Sequence, residues 1–145
     1  MKRLILCALA AAMLGGTLSS CGGGSNDGEV LSASSIGSLG PAELADKAIA
    51  DLRAATALLS GIETVGAAEA AIPEFQTLGE QYARVNAAMR NMDRTDQDAM
   101  MAVAERSPVL ARQLQAFMSE VDAIQSRNQD AAQILLPHLR TFSGR

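Results

Sequence analysis

Aromatic residues are scarce in this sequence of 145 residues, which contains no tryptophan, one tyrosine and three phenylalanines. So few rings cannot build the stacking platform on which single-stranded nucleic acids bind. The formal net charge of −4 also repels phosphate backbones. We therefore expect no nucleic-acid partner.

Residues that carry chemistry are equally few, since His138 is the only histidine and Cys7 and Cys21 are the only cysteines. The sequence lacks the haem-attachment motif C-x-x-C-H, the nucleophile elbow G-x-S-x-G and a lysine-containing phosphate loop. We therefore expect a protein that is not an enzyme, with no catalytic residue, cofactor or metal site.

The longest apolar run is short as well. Leu4–Leu18 is uncharged over 15 residues and follows Lys2 and Arg3, whereas a membrane-spanning helix needs about 20 apolar residues. A basic start, a short apolar run and then small residues are typical of a secretory leader. We assign residues 1–20 to such a signal peptide.

The leader ends in LSSC, which places Ser20 before Cys21. This stretch resembles the lipobox of bacterial lipoproteins, in which an aliphatic and two small residues precede an obligatory cysteine. The resemblance covers only the first 21 residues. It implies cleavage between Ser20 and Cys21, and a lipid on the Cys21 thiol that anchors the chain to a membrane. Because Gly22 rather than aspartate follows the cysteine, it also implies the outer membrane, facing the periplasm, in a cell that has one.

Removal of the leader would leave ten basic and 16 acidic residues, a net charge of −6. Such a charge does not favour an anionic membrane surface, so the lipid alone would hold the protein there. Residues 21–40 are then rich in glycine and serine, which predicts a disordered, flexible linker with a reach of about 25 Å.

From Pro41 onward, apolar residues recur three and four positions apart, which predicts amphipathic helices and a helical domain over residues 41–145. The first helix is predicted to begin at Pro41 and to end between Gly61 and Gly66. Pro73 is predicted either to begin the second helix or to kink its first turns. The predicted buried stripes are Ala45, Ala48, Leu52, Ala55, Leu59 and Ile62 in the first helix, and Ala68, Ala71, Phe75, Leu78, Tyr82, Val85, Met89 and Met92 in the second.

The third helical segment is the longest, and two prolines interrupt it. Pro108 is predicted to divide it into a short and a long helix, and Pro137 to kink or end it. The short piece, Asp96 to Arg106, either folds over one end or extends the third helix. The whole pattern predicts an all-α, antiparallel three-helix bundle, with a possible short fourth helix.

Polar residues mark two places in this segment. At its start, Thr95 and Asp98 resemble a capping box. Asn128 falls on the apolar stripe, where it is either a buried residue that fixes helix register or a residue that reaches water at an imperfection.

Four methionines, Met89, Met92, Met100 and Met101, cluster around the predicted second turn. Thioethers can hold Cu(I), but methionine at helical spacing more often fills gaps in a core. Asp93, Asp96 and Asp98 form an acidic turn there, without the glycine and distal glutamate of a calcium loop.

These patterns predict a lipid-anchored envelope protein with a non-enzymatic binding or scaffolding role towards a protein partner. The alternative is a carrier of a small ligand or of copper, through the bundle interior or the methionine-rich end. Self-association through the helical stripes is a third possibility.

Overall fold

The computed structural model describes residues Val30–Ser143, which fold into helices without any strand. The all-α class is therefore confirmed over this range. No helix within it is long and apolar enough to cross a membrane. The elements are α1 (Ala33–Gly37), α2 (Pro41–Ser60), α3 (Val65–Arg90), α4 (Gln97–Arg127), α5 (Gln129–Leu139) and a terminal 3₁₀ helix (Arg140–Ser143).

Helix α2 packs against both α3 and α4. It begins at Pro41 as predicted, where the Glu43 carboxylate accepts a hydrogen bond from the Gly40 amide at 2.7 Å. All six residues of its predicted stripe are buried. Three of them are alanines, whose small side chains let the neighbouring helices approach closely.

Helix α3 begins at Val65, where the Thr64 hydroxyl accepts a hydrogen bond from the Ala67 amide. Pro73 therefore lies inside the helix and does not begin it. Gly66, predicted near the end of the first helix, lies in the first turn of α3 instead. The first six stripe residues of α3 are buried, whereas Met89 and Met92 are half-buried.

The predicted break at Pro108 is wrong, because α4 runs without interruption from Gln97 to Arg127. Pro108 is exposed. A proline removes one amide donor, and on an exposed face the carbonyl that loses its partner can bond to water. The piece from Asp96 to Arg106 thus extends the third helix. The capping box is also wrong, since Asp96 rather than Thr95 caps α4 by accepting from the Ala99 amide.

The break lies at Asn128, which ends α4 and begins α5 with an extended backbone. Its Oδ1 accepts from the Ala131 amide at 3.0 Å, and its Nδ2 donates to the Glu63 carbonyl at 3.1 Å. The side chain is half-buried. Neither alternative drawn from the sequence describes this role, which is to cap one helix and tie the joint to the α2–α3 turn.

Because of this break, the third segment supplies two helices to the bundle. Helix α5 packs against α3 and α4, and the 3₁₀ helix packs against α3 and α5. The core therefore combines four main helices, where the sequence pattern predicts three with a possible short fourth. Pro137 lies inside α5, which ends two residues later.

The packed region also begins earlier than residue 41. Helix α1 lies within the predicted linker, and its Ile36 is buried in the core. The Leu31 amide donates a hydrogen bond to Gln81 Oε1 on α3. The linker prediction is thus wrong for residues 31–40, and residues 21–29 of the linker lie outside the described residues.

We predict that Asn128→Ala lowers the free energy of unfolding by about 1–2 kcal/mol, because α5 loses its cap and the joint loses its bond to Glu63. Asn128→Ser keeps a capping oxygen, but its side chain is too short to replace the bond to Glu63. Its free energy of unfolding should therefore fall by less than that of Asn128→Ala. Urea unfolding followed by circular dichroism measures both, with exposed Gln129→Ala as the control. Equal stability of Asn128→Ala and the unmodified chain would contradict this role.

Candidate binding groove

A groove of about 490 Å³ opens between the end of α3, the α3–α4 turn and the first half of α4. This volume lies within the range of about 300–1,000 Å³ that is usual for small-molecule sites. Its lining is mainly apolar: Tyr82, Asn86, Met89, Arg90, Met92, Arg94, Met100, Val103, Leu114 and Phe142.

Phe142, from the 3₁₀ helix, forms part of this lining and belongs to an aromatic cluster. Its ring centroid lies 5.5 Å from that of Tyr82 and 5.1 Å from that of Phe117. The 3₁₀ helix reaches α3 at Gly79, where an added Cβ would lie 3.2 Å from the Cβ of Thr141. The absence of a side chain at Gly79 therefore allows the approach that brings Phe142 to the groove.

The groove lies beside an apolar surface that the core leaves uncovered. Helix α4 has 31 residues, of which only Ala99, Phe117, Val121 and Ile124 are buried. On the rest of the helix Val103, Val109 and Leu110 are half-buried, whereas four large apolar side chains are exposed, and the most exposed is Met101 at 60%. The others are Met100, Leu114 and Met118. An apolar surface of this kind is typical of a binding site.

Three of the four clustered methionines, Met89, Met92 and Met100, line this groove, while Met101 does not. Most of the methionine cluster seen in the sequence thus lies along this groove. A methionine side chain is flexible and polarizable, so this lining can adapt to ligands of different shapes.

The charged side chains that line the groove are all cationic. Arg90 and Arg94 contribute to the lining, and no carboxylate does. The nearby acids serve local structure: Asp93 accepts from the amide and hydroxyl of Thr95 at 2.8 and 2.7 Å, and Asp96 caps α4. These hydrogen bonds lower the pKa of Asp93, and the bond from the Thr95 amide has a larger effect than the bond from its hydroxyl. The lining itself is therefore positively charged.

No cluster of three or more histidine, cysteine, aspartate or glutamate side chains within Val30–Ser143 is arranged to hold a metal ion. Asp93, Asp96 and Asp98, although close in sequence, form no such group. His138 lies on α5, away from the groove lining, and is half-buried. Ser20 and Cys21, the predicted cleavage and lipidation residues, lie outside the described part of the chain.

A buried polar network, which sequence reasoning missed, joins α2 to α3. The Lys47 ammonium and the Gln81 amide each donate to Asp51 Oδ1 at 2.7 Å. All three side chains are buried, and Asp51 Oδ2 has no hydrogen-bond partner. Burial raises the pKa of Asp51, an effect that Lys47 and Gln81 partly oppose. The spacing of Lys47 and Asp51, four residues apart, was the only signal in the sequence.

Lys47 also lines a second cavity of about 420 Å³ between α2, α4 and the segment around Leu31. This lining mixes carboxylates and cations, among them Asp46 and Arg106, which form an ion pair at 2.9 Å. Its charges are therefore largely neutralised within the protein.

Comparison with known proteins identifies no relative, since no family model, curated protein or solved structure matches the chain.

We predict that Lys47→Met lowers the free energy of unfolding by about 3–5 kcal/mol at pH 7.5, because it leaves the Asp51 carboxylate buried without its cation. Burial raises the pKa of Asp51 above its ordinary value of 3.8, so ionisation of Asp51 destabilises the fold as the pH rises above 3.8. The loss of stability in Lys47→Met is therefore expected to shrink as the pH falls towards 3.8.

Urea unfolding at pH 7.5 and pH 5 measures this dependence. Arg84→Met removes the exposed ion pair with Glu80 and is the matched control, with an expected change of about 0.5 kcal/mol or less. A deficit for Lys47→Met that is the same at both pH values would show that Asp51 does not cause it.

Proposed function

We propose that this chain is a lipid-anchored, non-enzymatic binding protein of the bacterial cell envelope, and that the groove between α3 and α4 is its binding surface. The observation that carries the binding role is the groove itself, an apolar concavity with two arginines beside an uncovered face of α4. The envelope location rests on the lipobox ending at Cys21.

The position of the groove suits a tethered protein. The chain enters the bundle at Leu31, whose amide bonds to Gln81 on α3 and which lines the second cavity and not the groove. The point where the tether joins the bundle therefore does not cover the groove.

We predict that the chain incorporates an alkyne-bearing fatty acid when it is expressed in lipoprotein-processing bacteria, and that Cys21→Ser abolishes this. The thiol of Cys21 is the atom to which the lipid would be attached. Cys7→Ser, which alters the other cysteine within the leader, should label normally. Labelling that persists in Cys21→Ser would refute the anchor.

A Cu(I) carrier is a second candidate, because the groove brings together the thioethers of Met89, Met92 and Met100. If the groove binds copper, anaerobic titration against a Cu(I) chelator should give one equivalent. Replacement of Met92 by leucine should weaken that binding about tenfold or more, and Met118→Leu, on exposed α4 surface, should not. A Cu(I) affinity that is unchanged in the Met92→Leu chain would rule out this site.

A further inference from the structure

Polarity varies along the groove. On α3, Tyr82 and Arg90 both contribute to the lining, and eight residues separate them. Eight residues correspond to about 12 Å of helix. Arg94 follows in the α3–α4 turn, so both arginines lie at the turn end, whereas Tyr82 and Phe142 meet further back along α3. The groove therefore has a cationic end and an apolar end.

We infer that this groove binds a single-chain anionic amphiphile of the fatty-acid class, with its carboxylate at Arg90 and Arg94 and its acyl chain running from Met89 towards Tyr82 and Phe142 at the apolar end. The inference deepens the proposed function and rests on it. It names the chemistry of the ligand that the same groove receives.

The charge arrangement favours an anionic head group. Two guanidinium groups contribute to the lining without any carboxylate, although the protein as a whole is acidic. Asp93 and Asp96, the acids nearest in sequence, are engaged by Thr95 and by the start of α4. Arginine binds carboxylates through paired hydrogen bonds, which are stronger than those between neutral groups.

The rest of the lining favours a flexible apolar tail. Three methionines, Val103 and Leu114 offer few hydrogen-bonding groups, and the methionines can follow the shape of a mobile chain. Each methylene that such a chain removes from water contributes favourably to binding.

The test uses the full acylated chain in nanodiscs of zwitterionic lipid. The probes are dodecanoic acid that carries a diazirine and an alkyne, and the dodecanol with the same groups. After photolysis, mass spectrometry locates the labelled peptides. We expect the acid to label residues of the groove, with competition by unlabelled dodecanoate, and the alcohol to label them about tenfold less.

Matched variants separate charge from folding. Arg90→Gln with Arg94→Gln should reduce labelling by the acid about tenfold and leave labelling by the alcohol unchanged. The control is Arg84→Gln with Arg112→Gln, two exposed arginines outside the lining, which should label as the unmodified chain does. Circular dichroism verifies that both variants remain helical.

Equal labelling by acid and alcohol, or labelling outside the groove, would overturn the inference and leave the proposed function standing. Failure of the chain to enter nanodiscs because it carries no lipid would instead contradict the proposed envelope anchor. Labelling by the acid that survives in the Arg90→Gln, Arg94→Gln variant would show that the arginines do not recognise the carboxylate.

Discussion

The joint at Asn128 is the constraint on which the rest of this structure depends. By capping α5 and bonding to the Glu63 carbonyl, Asn128 turns one amphipathic segment into two helices that run in different directions. Helix α5 can then pack on α3 and α4, and the 3₁₀ helix that follows carries Phe142 to Tyr82. Without this joint, the segment would continue as one long helix, and Phe142 would not reach the groove.

The first half of α4 is less buried than the second half. The buried residues Phe117, Val121 and Ile124 lie in the second half of α4. Only Ala99 is buried in the first half, whose apolar side chains border the groove. The protein thus keeps apolar surface in contact with water, which costs stability and is typical of binding surfaces. The Lys47–Asp51–Gln81 network, which ties α2 to α3, lies at a separate place in the fold.

Periodicity predicted the parts of the fold that depend on local pattern. The stripes of α2 and α3 are buried because apolar spacing of three and four places their residues on one face. Periodicity failed where contacts between distant segments determine whether a helix forms or continues. Pro108 does not break α4 because it lies on an exposed face, and α1 folds because Ile36 reaches the core. For the site, the methionine cluster was visible in the sequence, whereas Phe142 and the Asp51 network depend on contacts between distant segments.

We propose that the groove left open between α3 and α4 is the binding site. Methyl NMR of the acylated chain, with ¹³C-methyl methionine and titrated with dodecanoate in nanodiscs, tests it directly because the methionines report on separate surfaces. We predict that the signals of Met89, Met92 and Met100 shift together and saturate, while that of Met118 does not move. Unchanged groove methionines, or shifts confined to Met101 and Met118, would contradict it.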